Sequence, residues 1–238
     1  MNAGYFIAIV LVSGFVAGTI HGAVNLAIVE PYLDEAIGIE NQVLFESGEA
    51  EDIPQFWVEY NSYRDWQKSG QLLAGGILGM SIGALFGVVF AYSRNSLPEG
   101  HTVKKTFVLA AIMWLTIFLI PFLKYPANPP TIGEADTVVL RGILYLSFIA
   151  ISGFSAVGFS RLYKKLENKK YLAFVGYAVF ITAVFFIMPP SPDEVTAPMD
   201  LVNGFRIMSV VAVTTFWIAE ATILGLLWQK YKTKLQES

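Results

Sequence analysis

GYFIAIVLVSGFVAGTIHGAVNLAIV, residues 4–29, runs through 26 positions without an Asp, Glu, Lys or Arg. A helix rises ~1.5 Å per residue, and ~20 residues cross the ~30 Å of hydrocarbon in a bilayer. Five further apolar stretches follow, at about 70–92, 106–123, 138–160, 171–188 and 206–228. Each is predicted to be a transmembrane helix. The fold class is therefore an all-α integral membrane protein, a bundle of about six transmembrane helices forming a single polytopic domain over residues 1–238. The fifth stretch is the shortest, because Met188-Pro189-Pro190 stops it where proline supplies no amide and blocks the next turn. The first has no basic leader and continues into Glu30-Pro31 without a small-x-small cleavage pattern, so it reads as a mature span.

Composition agrees. A chain of 238 residues with 55% hydrophobic and 15% charged residues, and a mean hydropathy of +0.55, does not suit a soluble domain. The absence of cysteine excludes thiol catalysis, thiolate metal sites and a disulfide framework. Net charge −3, with no long basic run, argues against a nucleic-acid partner. The partner that composition demands is the lipid bilayer.

Basic residues are retained on the cytoplasmic side, so their placement orients the bundle. Eleven of the 16 Lys and Arg lie in alternate joints and the tail: Arg94, Lys104, Lys105, Arg161, Lys164, Lys165, Lys169, Lys170, Lys230, Lys232 and Lys234. The opposite joints hold only Arg64, Lys68, Lys124, Arg141 and Arg206, alongside 15 of the 19 acids. Both termini are predicted to be cytoplasmic in a multi-pass protein of the cell membrane. The extracytoplasmic joint 30–69 is acidic and partly helical: Pro31 suits a first helical turn, and a second helix is expected after Asp52 with Pro54 at its first position. Its carboxylates read either as an ordinary solvated face or as a field that attracts cations.

Two glycine ladders mark packing faces: Gly14, Gly18 and Gly22 in the first span, and Gly75, Gly79, Gly83 and Gly87 in the second. Spacing of four lets helix backbones approach closely where lipid gives no hydrophobic drive. At 100° per residue His21 and Asn25 share the face of Gly14 and Gly18, so they point at protein. An imidazole and a carboxamide on a buried stripe can ligate a cation, or simply hydrogen-bond across helices. Glu30 follows at the outer end. Glu220 is the one acid well inside a span, where an ionised group costs on the order of 3 kcal/mol, so it must face a cavity or a partner, or hold a proton. Counted from the inner ends, Glu220 lies ~12 Å and His21 ~25 Å up, too far apart to share one ion. His21, Asn25 and Glu30 are thus candidates for the outer part of a cation path, and Glu220 for an inner gate or proton-coupling site. At the outer end of the third span, Lys124-Tyr125-Pro126-Ala127-Asn128-Pro129-Pro130 cannot continue a helix, and Lys124 and Tyr125 suit an interfacial anchor.

The Leu-Lys-Tyr-Pro-Ala-Asn-Pro-Pro segment 123–130 and the run from His21 through Asn25, Glu30 and Pro31 to Gln42 resemble the CbtA family of predicted cobalt transporter subunits, over nearly the whole chain. The resemblance implies a membrane protein that carries cobalt as substrate rather than as a cofactor, often paired with CbtB, a small single-span subunit with a histidine-rich end. It also admits a homo-oligomer. This chain has just two histidines, His21 and His101. There is no G-x-x-x-x-G-K-[ST] loop, so coupling energy must come from a gradient or another subunit, and no H-E-x-x-H or G-x-S-x-G motif points to an enzyme. The alternative is a non-catalytic scaffold or assembly subunit, in which the glycines dock helices and the polar groups act as interhelical glue.

Overall fold

The computed structural model describes residues 2–129, 132–166 and 168–236, and among them it is all helix and connecting loop, with no strand. We number the helices α1 (Ala3–Ile28), α2 (Glu30–Ser47), α3 (Pro54–Ser93), α4 (Thr102–Lys124), α5 (Val138–Lys165), α6 (Tyr171–Ile187), α7 (Met199–Lys230) and α8 (Lys232–Gln236). By length and composition α1, α3, α4, α5 and α7 can cross a membrane. Helix α6, with 17 residues, is apolar but shorter. Large apolar side chains such as Phe154 (79% exposed) and Ile187 (81%) face outward along these helices. A water-soluble surface does not carry such a density of them, and a lipid-facing one does.

Local chemistry explains the breaks. Pro31 in the first turn of α2 has no amide to continue the ladder of α1, so a single residue, Val29, separates the two helices. At the far end of α2, Gly48 takes φ 78°, the left-handed conformation that ends helices and favours glycine. Helix α3 departs from the sequence expectation of a short outer helix followed by a separate span from 70. Pro54 opens it as expected, but nothing between Pro54 and Ser93 removes an amide, and Gly70 is accommodated in mid-helix. The result is one rod of 40 residues, ~60 Å long, far more than a bilayer needs. In α4, Pro121 removes a donor, and the ladder widens to a π-helix over Trp114–Leu119, where the Ile120 amide reaches back to the Leu115 carbonyl.

The chain forms two compact units, and the division falls within α4. The first comprises Met1–Ala111, Pro129–Thr131 and Asp200–Ser238. In it α1 runs antiparallel to α3 and α7. A Cβ on Gly18 would strike the Gly75 carbonyl, one on Gly14 the Gly79 carbonyl, and one on Gly22 would lie 2.7 Å from the Gln71 carbonyl oxygen. Helix α7 joins through aromatic pairs: Trp217 on Phe86, with ring centroids 6.0 Å apart, and Trp228 on Phe90, 4.9 Å apart. Thr106 of α4 donates to the Ala221 carbonyl, 2.7 Å away, beside Gly225. The amide of Asn2 donates to the Leu235 carbonyl at 3.0 Å, which brings the two ends of the chain together.

The second unit comprises Ile112–Asn128 and Ile132–Met199. Antiparallel α5 and α6 pack around Phe148, Leu144 and Ile181, with Tyr125 closing the cluster. Ser152 and Tyr177 share a hydroxyl hydrogen bond of 2.8 Å.

The α1–α3 contact is backbone on backbone, so it leaves no flexible side chain to yield. Gly18→Leu is expected to cost at least the ~1–3 kcal/mol of ordinary overpacking, read as an earlier melting transition in detergent. Gly158→Leu, at an α5 position with nothing within 4 Å, is expected to leave the transition unmoved. Equal behaviour of the two variants would refute the tight contact.

Candidate functional site

The candidate residues of α1 lie along its face toward α3 and α7. The innermost is Ser13, whose hydroxyl donates to Glu220 Oε1 at 3.1 Å and lies 3.0 Å from the Val10 carbonyl of its own helix. Glu220 is 0% exposed. Gly83 of α3 closes the other side, since a Cβ there would stand 3.3 Å from Glu220 Oε1 and 2.7 Å from the Gly14 Cα. The missing side chain of Gly83 therefore leaves room beside the carboxyl. Its second oxygen, Oε2, has no partner among the described residues. Among the described residues this buried acid has one hydroxyl donor and no cationic partner, an arrangement that is costly for an ionised group.

Two turns further along α1, ~12 Å away, His21 meets α7. Its Nδ1 lies 3.0 Å from the Ala212 carbonyl oxygen, and Phe216 packs edge-on with ring centroids 6.3 Å apart. A carbonyl only accepts, so Nδ1 carries a proton, and it is the neutral ring that leaves Nε2 with a lone pair. Fixing one ring nitrogen on a backbone carbonyl is how proteins orient an imidazole whose other nitrogen ligates a metal.

From Asn25 outward the polar groups form one connected network. Asn25 Nδ2 donates to Gln71 Oε1 at 3.2 Å, and Gln71 Nε2 donates to Glu30 Oε2 at 2.5 Å. Arg64 pairs with Glu30 through Nη2, with Asp34 Oδ1 at 2.8 Å, and with Gln67 Oε1 at 2.8 Å. Lys68 completes the series on Asp34 Oδ2 at 2.8 Å. Glu30 and Arg64 are both buried, at 3% and 8% exposure, so each compensates the other. Burial works to raise the Asp34 carboxyl, but hydrogen bonds and charge from Lys68 and Arg64 outweigh it and hold the group below its ordinary value. The stabilisation that this implies is complete above the ordinary Asp value and is lost as pH falls through the lowered one.

Both oxygens of Glu30 are thus engaged by Arg64 and Gln71, and Asn25 is tied to Gln71. Arg64, Gln71 and Ser13 belong to this site and were not singled out from the sequence. Gln71 continues the four-residue rhythm of Gly75 and Gly79, and Ser13 adjoins Gly14, so both carried a readable signal. Arg64, in an acidic and aromatic stretch, carried none.

In the second unit Lys124 sits with Nζ 4.9 Å from the Phe185 ring centroid, and Tyr125 is buried with its hydroxyl donating to the Pro189 carbonyl at 2.7 Å. Pro126, Asn128 and Pro129 continue the segment, and Pro130 lies outside the described residues. Nearby, Arg141 Nε pairs with buried Asp193 at 2.7 Å, and Thr137 donates to the same carboxylate at 2.6 Å. The proline-rich segment is thereby tied to the loop after α6.

No group of three or more His, Asp or Glu side chains is gathered to enclose a metal among the described residues. The arrangement is a file of separate polar stations, at Glu220, His21 and the Glu30 network.

Replacing Arg64 by Ala strands Glu30 in its burial, and a destabilisation of ~3–5 kcal/mol is expected. The double variant Arg64→Met, Glu30→Gln should recover most of that loss in a thermal melt. A double variant no more stable than Arg64→Ala would mean that Arg64 acts through something other than Glu30.

No curated protein and no solved structure matches the chain. The family model described as "Probable cobalt transporter subunit (CbtA)" matches residues 4–229, nearly the full length, and the chain belongs to the CbtA family.

Proposed function

We propose that this protein is a membrane transport subunit for a divalent cation, cobalt in the first instance, with six spans and both termini in the cytoplasm. The observation that carries the reading is the file of polar groups along α1, ending at a carboxyl with one oxygen unpartnered in the bundle. The family description supports cobalt as the cargo. Imidazole nitrogen is a good ligand for a borderline ion such as cobalt and a poor one for magnesium, which prefers oxygen and water. Stations of one or two donors bind weakly enough to let an ion leave, as transit requires.

In this reading the acids of α2 and the start of α3 concentrate cations outside, and Arg64 occupies the Glu30 and Asp34 carboxylates as a tethered counter-ion until a cation competes for them. His21 Nε2 selects, and Glu220 exchanges a proton as the charge passes. A small CbtB-like subunit, or a second copy of the chain, completes the transporter. The Asn2 to Leu235 hydrogen bond supports placing both termini on one side, and the eleven to five distribution of basic residues supports the cytoplasm.

Two measurements test this. Single cysteines at Glu49 and Lys169, introduced into a chain that has none, should be labelled from opposite faces of intact cells. One impermeant reagent labelling both would sink the topology. In proteoliposomes loaded with the subunit and its partner, cobalt uptake should respond to a proton gradient, and Glu220→Gln should lower it by about tenfold, ~1.4 kcal/mol, without moving the melting temperature. His21→Ala, equally stable, should weaken cobalt binding much more than magnesium binding. Uptake unaffected by either change would leave the subunit a membrane scaffold whose polar groups serve only to join helices.

A further inference from the structure

At the end of the first unit where α3 and α7 finish and α4 begins, the structure forms a half-open cavity of about 450 Å³. It lies within that unit alone, beside the chain ends, with its Trp228 wall about two turns along α7 from Glu220, ~12 Å. Arg94, Lys105 and Lys232 line it together with Thr102, Trp228 and Phe90. The Arg94 guanidinium stacks 5.3 Å from the Trp228 ring centroid, and Trp228 in turn meets Phe90 edge-on. Lys105 Nζ donates to the Arg94 carbonyl at 2.9 Å, which draws the second cation to the same rim. Among the described residues no carboxylate pairs with any of the three; the ion pairs there engage Arg64, Lys68 and Arg141.

Three like charges around one concavity with an aromatic wall repel one another through a medium that screens less than water. The arrangement is relaxed by an anion that accepts several hydrogen bonds at once. A phosphate suits it better than a carboxylate or a halide, because guanidinium forks match phosphate oxygens and lysines add point charge. The volume exceeds what a bare phosphate fills. Its lining combines cationic groups with the rings of Phe90 and Trp228, which matches a phosphate ester with an apolar body.

We propose that this cavity binds a phosphate-bearing anion, with an acidic phospholipid headgroup as the ligand that its place at the end of the spans favours. A free phosphate compound carries the same chemistry, and the test separates the two. The purified chain is placed in nanodiscs of phosphatidylcholine with a minor share of phosphatidylglycerol, and the lipid retained after detergent extraction is counted by native mass spectrometry, with and without inorganic phosphate. Phosphatidylglycerol should be enriched over phosphatidylcholine, and the triple variant Arg94→Gln, Lys105→Gln, Lys232→Gln should lose that enrichment, at about fivefold for each charge removed. Should the triple variant melt early, Lys232→Gln alone, at an exposed position, and Arg94→Lys, which keeps charge but loses the fork, give the same reading in smaller steps. Phosphate bound by the native chain and not by the variants, without lipid enrichment, would assign the cavity to a free phosphate compound. Equal retention of both lipids and no phosphate binding by the native chain would overturn the proposal.

Discussion

Close contact between the backbones of α1 and α3 is the constraint on which the first unit depends. In lipid no hydrophobic drive pulls two apolar helices together, because the tails are as apolar as leucine. What remains is van der Waals contact and the hydrogen bonds that contact permits. Gly14, Gly18, Gly22, Gly75 and Gly79 have no Cβ to hold the backbones apart, and at each of them a Cβ would fall on the opposing backbone. The polar contacts that α1 makes lie along that approach. Ser13 and His21 reach α7, and Asn25 reaches Gln71, because α1 is pressed into α3 over three turns.

The same approach decides how buried charge is tolerated. Glu30 and Arg64 come from helices that would otherwise stand a side chain further apart, and their pairing turns two costly groups into one compensated unit. Asp34 and Lys68 extend the compensation toward solvent, where it is worth less per pair and more as a network. Glu220 is handled differently. Among the described residues it receives one hydroxyl and no cation, with space left beside it by Gly83. A bundle that neutralises one buried acid completely and leaves another half-satisfied treats the two as different kinds of group, and the proposed proton exchange belongs to the second.

Much of the fold was legible because helix formation in a membrane leaves the sequence little choice: long runs without charge become helices, and prolines at 31, 54 and 189 mark ends. The glycine faces were legible too, since spacing of four puts residues on one stripe whatever the partner. The continuity of α3 was not. Polar residues from 54 to 69 and Gly70 read as a boundary, but neither removes a hydrogen bond, and a helix needs a lost donor or a clash to stop. The π-helix in α4 was hidden for the opposite reason: Pro121 predicts a lost bond, but not where along the helix the ladder re-forms. In the site, His21, Asn25 and Glu220 could be named because polar groups in apolar runs stand out. The Arg64 partnership could not, because it joins residues 34 positions apart in a stretch where charge is ordinary.

A file of sparse stations has a consequence for selectivity. A closed site of three or four ligands would discriminate strongly among metals and release them slowly. Here each station offers one or two groups, so discrimination must come from the chemical type of the ligand rather than from its number. His21 is the only nitrogen donor of its kind along α1, and its geometry is fixed by a backbone carbonyl that no substitution on α7 can remove. In the proposed transport reading the carboxylates on either side of it offer only oxygen, and Glu30 would first have to give up Arg64. In the same reading the imidazole is the point in the file where a borderline metal would be told apart from magnesium or calcium.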